Sequence, residues 1–305
     1  MNESTYTARF FVFALFLCAT ACSAQSGYGI ANLRYFQEAY PDVVFEKSYD
    51  RTAGDWKIDI TFPAQSADEK NKTTTLYWAK GRLLPAEELV NKEKYWTLLH
   101  PYSKQLVDPA DFTPEQVERV KRFSSSKNRK DGAGTPMFFF DALYDSSSRK
   151  TLEPNIIKTQ FLERRTNIHE RIMQPLKRVE AKILELAKTD SNVKAFIAEL
   201  KSTDAYYWRI IKGTNRKSFH SLGIAIDVLP RYLNGKAIFW SWTKEQHPDD
   251  WMLTPLAKRW MPPQSVISIF EQEGFIWGGK WDIFDNMHFE YHPELILFAG
   301  IGSTK

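Results

Sequence analysis

Only two cysteines occur in the 305 residues, Cys18 and Cys22, both near the N-terminal end. A chain trimmed nearby keeps at most one of them, so a disulfide framework is excluded. Long apolar runs are also missing. The run at 10–17 is too short to cross a bilayer as a helix, and nothing later is longer. Charge of one sign is not in excess either: 41 basic residues face 37 acidic ones, a net of +4. The two signs are interspersed, which leaves no footprint for nucleic acid and at most a mild preference for an anionic wall or membrane surface. There is no internal repeat, and no regular strand–helix alternation of the kind that builds a doubly wound parallel sheet.

What is present begins with a leader. Glu3 and Arg9 flank the start of the short apolar run, and the small residues Ala19, Thr20, Ala21, Ser23 and Ala24 surround Cys22. This pattern predicts a secretory signal over 1–24 and an exported protein of the periplasm or cell envelope. Two processing routes stay open: lipoprotein modification at Cys22, or plain cleavage near Ala24. Ala19 stands where lipoprotein signals usually carry a larger aliphatic residue. Membrane contact is expected only through a lipid anchor at Cys22.

Residues 25–160 read as an α+β region of unassigned role. Trp56, Ile58, Ile60 and Phe62 alternate with polar residues, and a second apolar run at 76–78 follows a polar stretch at 65–72. That predicts a long hairpin. Thr113, Pro114 and Gln116 form a capping-box signature for a helix to about Phe123, followed by a surface loop over 124–134. Ile168, Ile172, Leu176, Val179, Ile183 and Leu186 recur at helical spacing. They predict one long amphipathic helix with His169 at the edge of its stripe, then a shorter helix capped by Asp190 or Ser191. Short strands are predicted at 208–211, 224–229, 275–277 and 287–291. A helix between the second and third starts at Pro262-Pro263 and stops at Gly274.

Two stretches carry chemistry. In Ser218-Phe-His220-Ser-Leu-Gly223-Ile-Ala225-Ile-Asp227 a strand would place Asp227 beside the small Ala225, with His220 at its entry and Gly223 permitting a tight turn. Near the end, Trp277-Gly-Gly precedes Asp285-Asn-Met-His288-Phe-Glu290, with His288 and Glu290 on one face of a strand. Two histidines and a carboxylate suit a zinc ion that keeps a fourth position open. His100, His169 and His247 read as structural or surface residues. His292 fails the helical zinc-motif test, because Phe289 stands where a glutamate is required.

These motifs resemble the LAS metallopeptidases, and within them the D-alanyl-D-alanine carboxypeptidase and L-alanyl-D-glutamate endopeptidase family, over about 206–291. The resemblance implies an α+β domain at 161–305: a small antiparallel sheet with helices around a zinc cleft. It implies Zn2+ held by His220, Asp227 and His288, Asp285 as general base, and peptidoglycan stem peptides as substrate. Arg209 and Arg216 match arginines near the substrate, Ser218 is placed to contact it, and Glu290 to orient a ligand from behind. Asp285 departs from the glutamate of many relatives and is shorter by one methylene. Two other readings remain. One is a catalytically weak or inactive metal-containing cell-wall binding protein, as the hedgehog domain exemplifies on this scaffold; the other is a wall-docking N-terminal module that carries the peptidase as passenger.

Overall fold

The computed structural model describes residues 28–63 and 70–301. The predicted leader with Cys18 and Cys22 lies outside the described residues, as does most of the polar stretch at 65–72. The first helix, α1 (Leu33–Ala39), leads into an antiparallel sheet of β1 (Val44–Asp50), β2 (Asp55–Phe62) and β3 (Lys72–Tyr77) in that spatial order. The expected hairpin is β2–β3, with Ile58, Ile60 and Phe62 buried. β1 escapes the sequence reading because only Phe45 in it is buried, so it has no alternation to detect.

Helix α2 (Pro114–Phe123) starts on the expected capping box, with Thr113 and Gln116 satisfying each other's backbone N–H. The loop expected at 124–134 is instead largely a helix, α3 (Ser126–Asp131). Its polar sequence offers no apolar stripe, and its ends hold it instead. Ser125 Oγ accepts from Asn128 N, and the Arg216 guanidinium donates to the carbonyls of Asn128 and Gly132. Two short helices follow, α4 (Phe138–Leu143) and α5 (Arg149–Leu152).

The long helix predicted from Ile168 is also corrected. Residues up to His169 form a hairpin of β4 (Ile156–Phe161) and β5 (Arg164–His169), and the helix α6 spans Met173–Leu186. Pro175 explains the late start, because a proline fits the first turn but would break a helix running through from 168. Asp190 caps α7 (Ser191–Glu199), accepting from Asn192 N and Val193 N.

The strand expected at 208–211 is reduced to one bridge, Ile210 to Lys217. The edge strand is β6 (Leu200–Asp204), mostly polar and therefore silent in the pattern. Then come β7 (Ala225–Pro230), α8 (Trp240–Gln246), α9 (Gln264–Gln272), β8 (Phe275–Trp277), β9 (His288–Tyr291) and α10 (Pro293–Ala299). Gly274, at φ +91°, ends the α9 turn as expected. The sheet order is β6-β7-β9-β8, antiparallel throughout. Small antiparallel sheets with packed helices make this an α+β protein, consistent with an α+β peptidase domain.

Phe270 of α9 stacks on Phe289 of β9 at 3.9 Å between ring centroids, closing the inner face of the sheet. One core cluster runs from Leu33 and Phe36 of α1 through Phe139 to Phe298 of α10, where Tyr35 meets Phe298 edge-on at 5.4 Å. The first and last helices thus share a core.

His169 is fully buried at the end of β5, not at a helix boundary. Its Nε2–H donates to the Tyr144 carbonyl at 3.2 Å and its Nδ1 accepts from Arg171 N at 3.2 Å. A charged ring would have to donate at Nδ1, into another donor, and burial pushes its pKa down to about 4. Between pH 6.5 and 4 the unfolded chain binds a proton that the folded chain refuses, so stability falls as pH falls through that window. The loss should reach roughly 3 kcal/mol. Urea unfolding at pH 7 and pH 4 is expected to show this loss in wild type and much less of it in His169→Gln; equal losses in both would refute it.

Candidate metal centre

The register of β7 on β9 builds the site. Asp227 lies directly opposite His288 and Ala225 opposite Glu290, so a slip of β9 by one residue would send both His288 and Glu290 to the wrong face. His220 arrives on a 3₁₀ turn, Phe219–Leu222, just before β7. Ser218 Oγ caps that turn by accepting from His220 N, and Gly223 ends it at φ +70°. A Cβ on Gly223 would lie 2.7 Å from both His169 N and the Ile156 side chain, so the turn can seat itself against β5 only with glycine there.

Hydrogen bonds fix which nitrogen of each ring faces the centre. His220 Nδ1 donates to the Ala205 carbonyl at 2.5 Å, which leaves Nε2 with its lone pair inward. His288 Nε2 donates to Glu290 Oε1 at 2.8 Å, leaving Nδ1 inward. Those inward nitrogens stand 3.1 Å apart; Asp227 Oδ1 is 2.8 Å from His288 Nδ1, and Asp227 Oδ2 is 3.3 Å from His220 Nε2. Ligands on a tetrahedral cation at about 2.0–2.2 Å would be separated by roughly 3.2–3.6 Å, close to this spacing. Two ring nitrogens and a carboxylate converge on one point, and such a donor set fits a divalent cation.

Electrostatics tell the same story. Burial pushes the Asp227 carboxyl up, but His220 and His288 outweigh it and hold that carboxyl well below the ordinary range. Burial opposes charge on His288, yet its bonds to Asp227 and Glu290 hold its pKa well above the ordinary value. Both shifts favour positive charge between these side chains.

Asp285 sits three residues before His288, and His288 N donates back to its carbonyl at 3.3 Å. Gly278 makes room for it, since a Cβ there would come within 2.7 Å of the Asp285 carbonyl. Asp285 Oδ1 is buried and has no hydrogen-bond partner among the described residues. Burial, opposed by His288 and reinforced by Asp227 and Glu290, pushes its carboxyl up to about 7. An acceptor of this kind suits proton transfer.

A cleft of about 620 Å³ opens beside the centre, lined by His220, Asp227, Tyr207, Arg209, Lys158 and Arg165 among others. Ser221, missed in the sequence, holds the Arg209 backbone from both sides, accepting from its N–H at 2.8 Å and donating to its carbonyl at 2.7 Å. Arg216 does not line the cleft; its guanidinium is spent on the end of α3 and the face of Trp96. The Ser218 hydroxyl is buried in its capping role. Trp277 is core, while Trp281 lies against His288 at 5.4 Å. Lys158 and Arg165 were also missed, because exposed charges on a hairpin carry no sequence signal until the hairpin is placed.

A family model described as D-alanyl-D-alanine carboxypeptidase matches residues 212–291, which span His220, Asp227, Asp285, His288 and Glu290. That match supports a peptidase of this family. A second model, a domain of unknown function, matches residues 32–100. No curated protein and no solved structure matches the chain.

Proposed function

We propose that the protein is a zinc-dependent peptidase of peptidoglycan stem peptides, acting either as a D-Ala-D-Ala carboxypeptidase or as an L-Ala-D-Glu endopeptidase. The observation that carries this reading is the convergence of His220 Nε2, Asp227 and His288 Nδ1 on one point, inside the stretch that matches the carboxypeptidase model. His220, Asp227 and His288 would hold the ion. When bound, zinc supplies Lewis-acid activation of a water and of the scissile carbonyl.

The chain's own residues do the rest. Asp285, through its unpartnered Oδ1, takes the proton of the attacking water and returns it to the leaving amine. Glu290 keeps His288 in the tautomer that presents Nδ1. Arg209, on a backbone fixed by Ser221, offers a guanidinium to a substrate carboxylate or to the developing oxyanion. Neither Arg216 nor Ser218 is assigned to the substrate. The leader-like segment at 1–24 supports export to the cell envelope, with lipidation at Cys22 or simple cleavage as its two routes.

The test is incubation of purified protein with defined muropeptides, with and without a chelator. Cleavage that a chelator abolishes and zinc restores is expected; unchanged muropeptides in zinc-replete buffer would overturn the reading.

Lys158 and Arg165 give the cleft a cationic rim, and no carboxylate lies within 4 Å of either among the described residues. Stem peptides carry free carboxylates. Arg165→Ala and Lys158→Ala are each expected to raise KM roughly 3–10-fold at low salt with kcat nearly unchanged, and the effect should shrink at high salt. A change confined to kcat would contradict it.

A further inference from the structure

Beyond Glu290 the polar chain does not stop. His288, Glu290 and His292 alternate along one face of β9 and its continuation, and Glu294 follows in the first turn of α10. Glu290 Oε2 lies 3.4 Å from His292 Nε2, and His292 Nδ1 lies 2.8 Å from Glu294 Oε1. The Tyr40 hydroxyl, at the end of α1, donates to Glu294 Oε2 at 2.7 Å. His292, Glu294 and Tyr40 are each at most 5 % exposed. Phe219, next to His220, and Phe140 of α4 meet the His292 ring edge-on at 4.6 and 5.3 Å.

A buried row of this kind is costly unless every member is paired. Here donors and acceptors alternate: the Tyr40 hydroxyl, the Glu294 carboxylate, the His292 imidazolium, the Glu290 carboxylate, then the His288 ring. Two acids flanking His292 push its pKa up to about 9 despite burial. Removing one member leaves its neighbour buried and short of a partner. The row runs from the candidate metal ligand to a residue inside the segment matched by the domain of unknown function.

We propose that Tyr40, Glu294 and His292 are positioning residues that fix Glu290, and through it His288, so that the N-terminal region completes the metal centre. The proposal rests on the reading of His220, Asp227 and His288 as metal ligands. It gives residues near Tyr40 an intramolecular task, set apart from any contact with the wall.

The test uses the full chain loaded with zinc or cobalt. Zinc affinity by chelator competition is expected to fall 10–100-fold in His292→Gln and roughly 3–10-fold in Tyr40→Phe. The visible spectrum of the cobalt form should shift in both. Because these variants also lose packing, Phe298→Leu at the α1–α10 contact serves as control; it should lose stability while keeping wild-type affinity and spectrum. Combining Tyr40→Phe with Glu294→Gln should cost less than the sum of the single effects on affinity. Wild-type affinity and spectrum in His292→Gln and Tyr40→Phe, with wild type binding zinc, would overturn the relay alone. A wild-type chain that binds neither metal would overturn the metal reading, and the relay with it.

Discussion

His220→Ala is expected to yield a folded protein that loses stoichiometric zinc and at least ~10³-fold in kcat/KM, about 4 kcal/mol of transition-state stabilisation. In the proposed centre His220 is one of three donors, and two donors with water would make a poor catalytic zinc site. The side chain is buried, so the cut leaves a void, but the 3₁₀ turn keeps its cap at Ser218 and its exit at Gly223. Metal content by elemental analysis, muropeptide turnover and circular dichroism on one sample check the three parts together. A folded variant that keeps both zinc and turnover would remove His220 from the site.

Asp285→Asn should separate chemistry from binding. The substitution preserves shape but removes the acceptor that takes a proton, so kcat is expected to fall roughly 10²–10⁴-fold. Zinc content should stay at wild-type level, because Asp285 is not among the three converging donors. The KM of the residual activity should change little. This variant also decides between a hydrolase and a metal-containing binding protein. If wild type binds stem peptides without cleaving them, and Asp285→Asn binds them equally well, the shorter acid does not act as a base and binding is the better account.

The legible parts of the protein were those where short-range physics leaves a mark. The capping box of α2 needs only Thr113, Pro114 and Gln116, and it forms as read. β2 and β7 alternate, and their buried faces are the expected ones. Polar elements were illegible: α3 is held by a guanidinium 84 residues from one of the carbonyls it caps, and β6 has its place because β7 needs a partner on that edge. Pro175 was a local mark of the α6 start that the helical spacing of isoleucines obscured. His292 shows the same limit from the other side, since the alternation of His288, Glu290, His292 and Glu294 is plain in the sequence, but its partner Tyr40 is not.

By itself the sequence determined the candidate donor types, their neighbour Glu290, and the strands that carry Asp227 and His288, because strand periodicity and residue chemistry act over a few residues. Only the tertiary structure decided that His220 turns its Nε2 inward, that Arg209 reaches the cleft while Arg216 does not, and that the first helix is tied to the last through Tyr40 and Glu294. Each of these depends on partners 12 to 254 residues away, and hydrogen-bond geometry at such range is set by packing rather than by spacing along the chain.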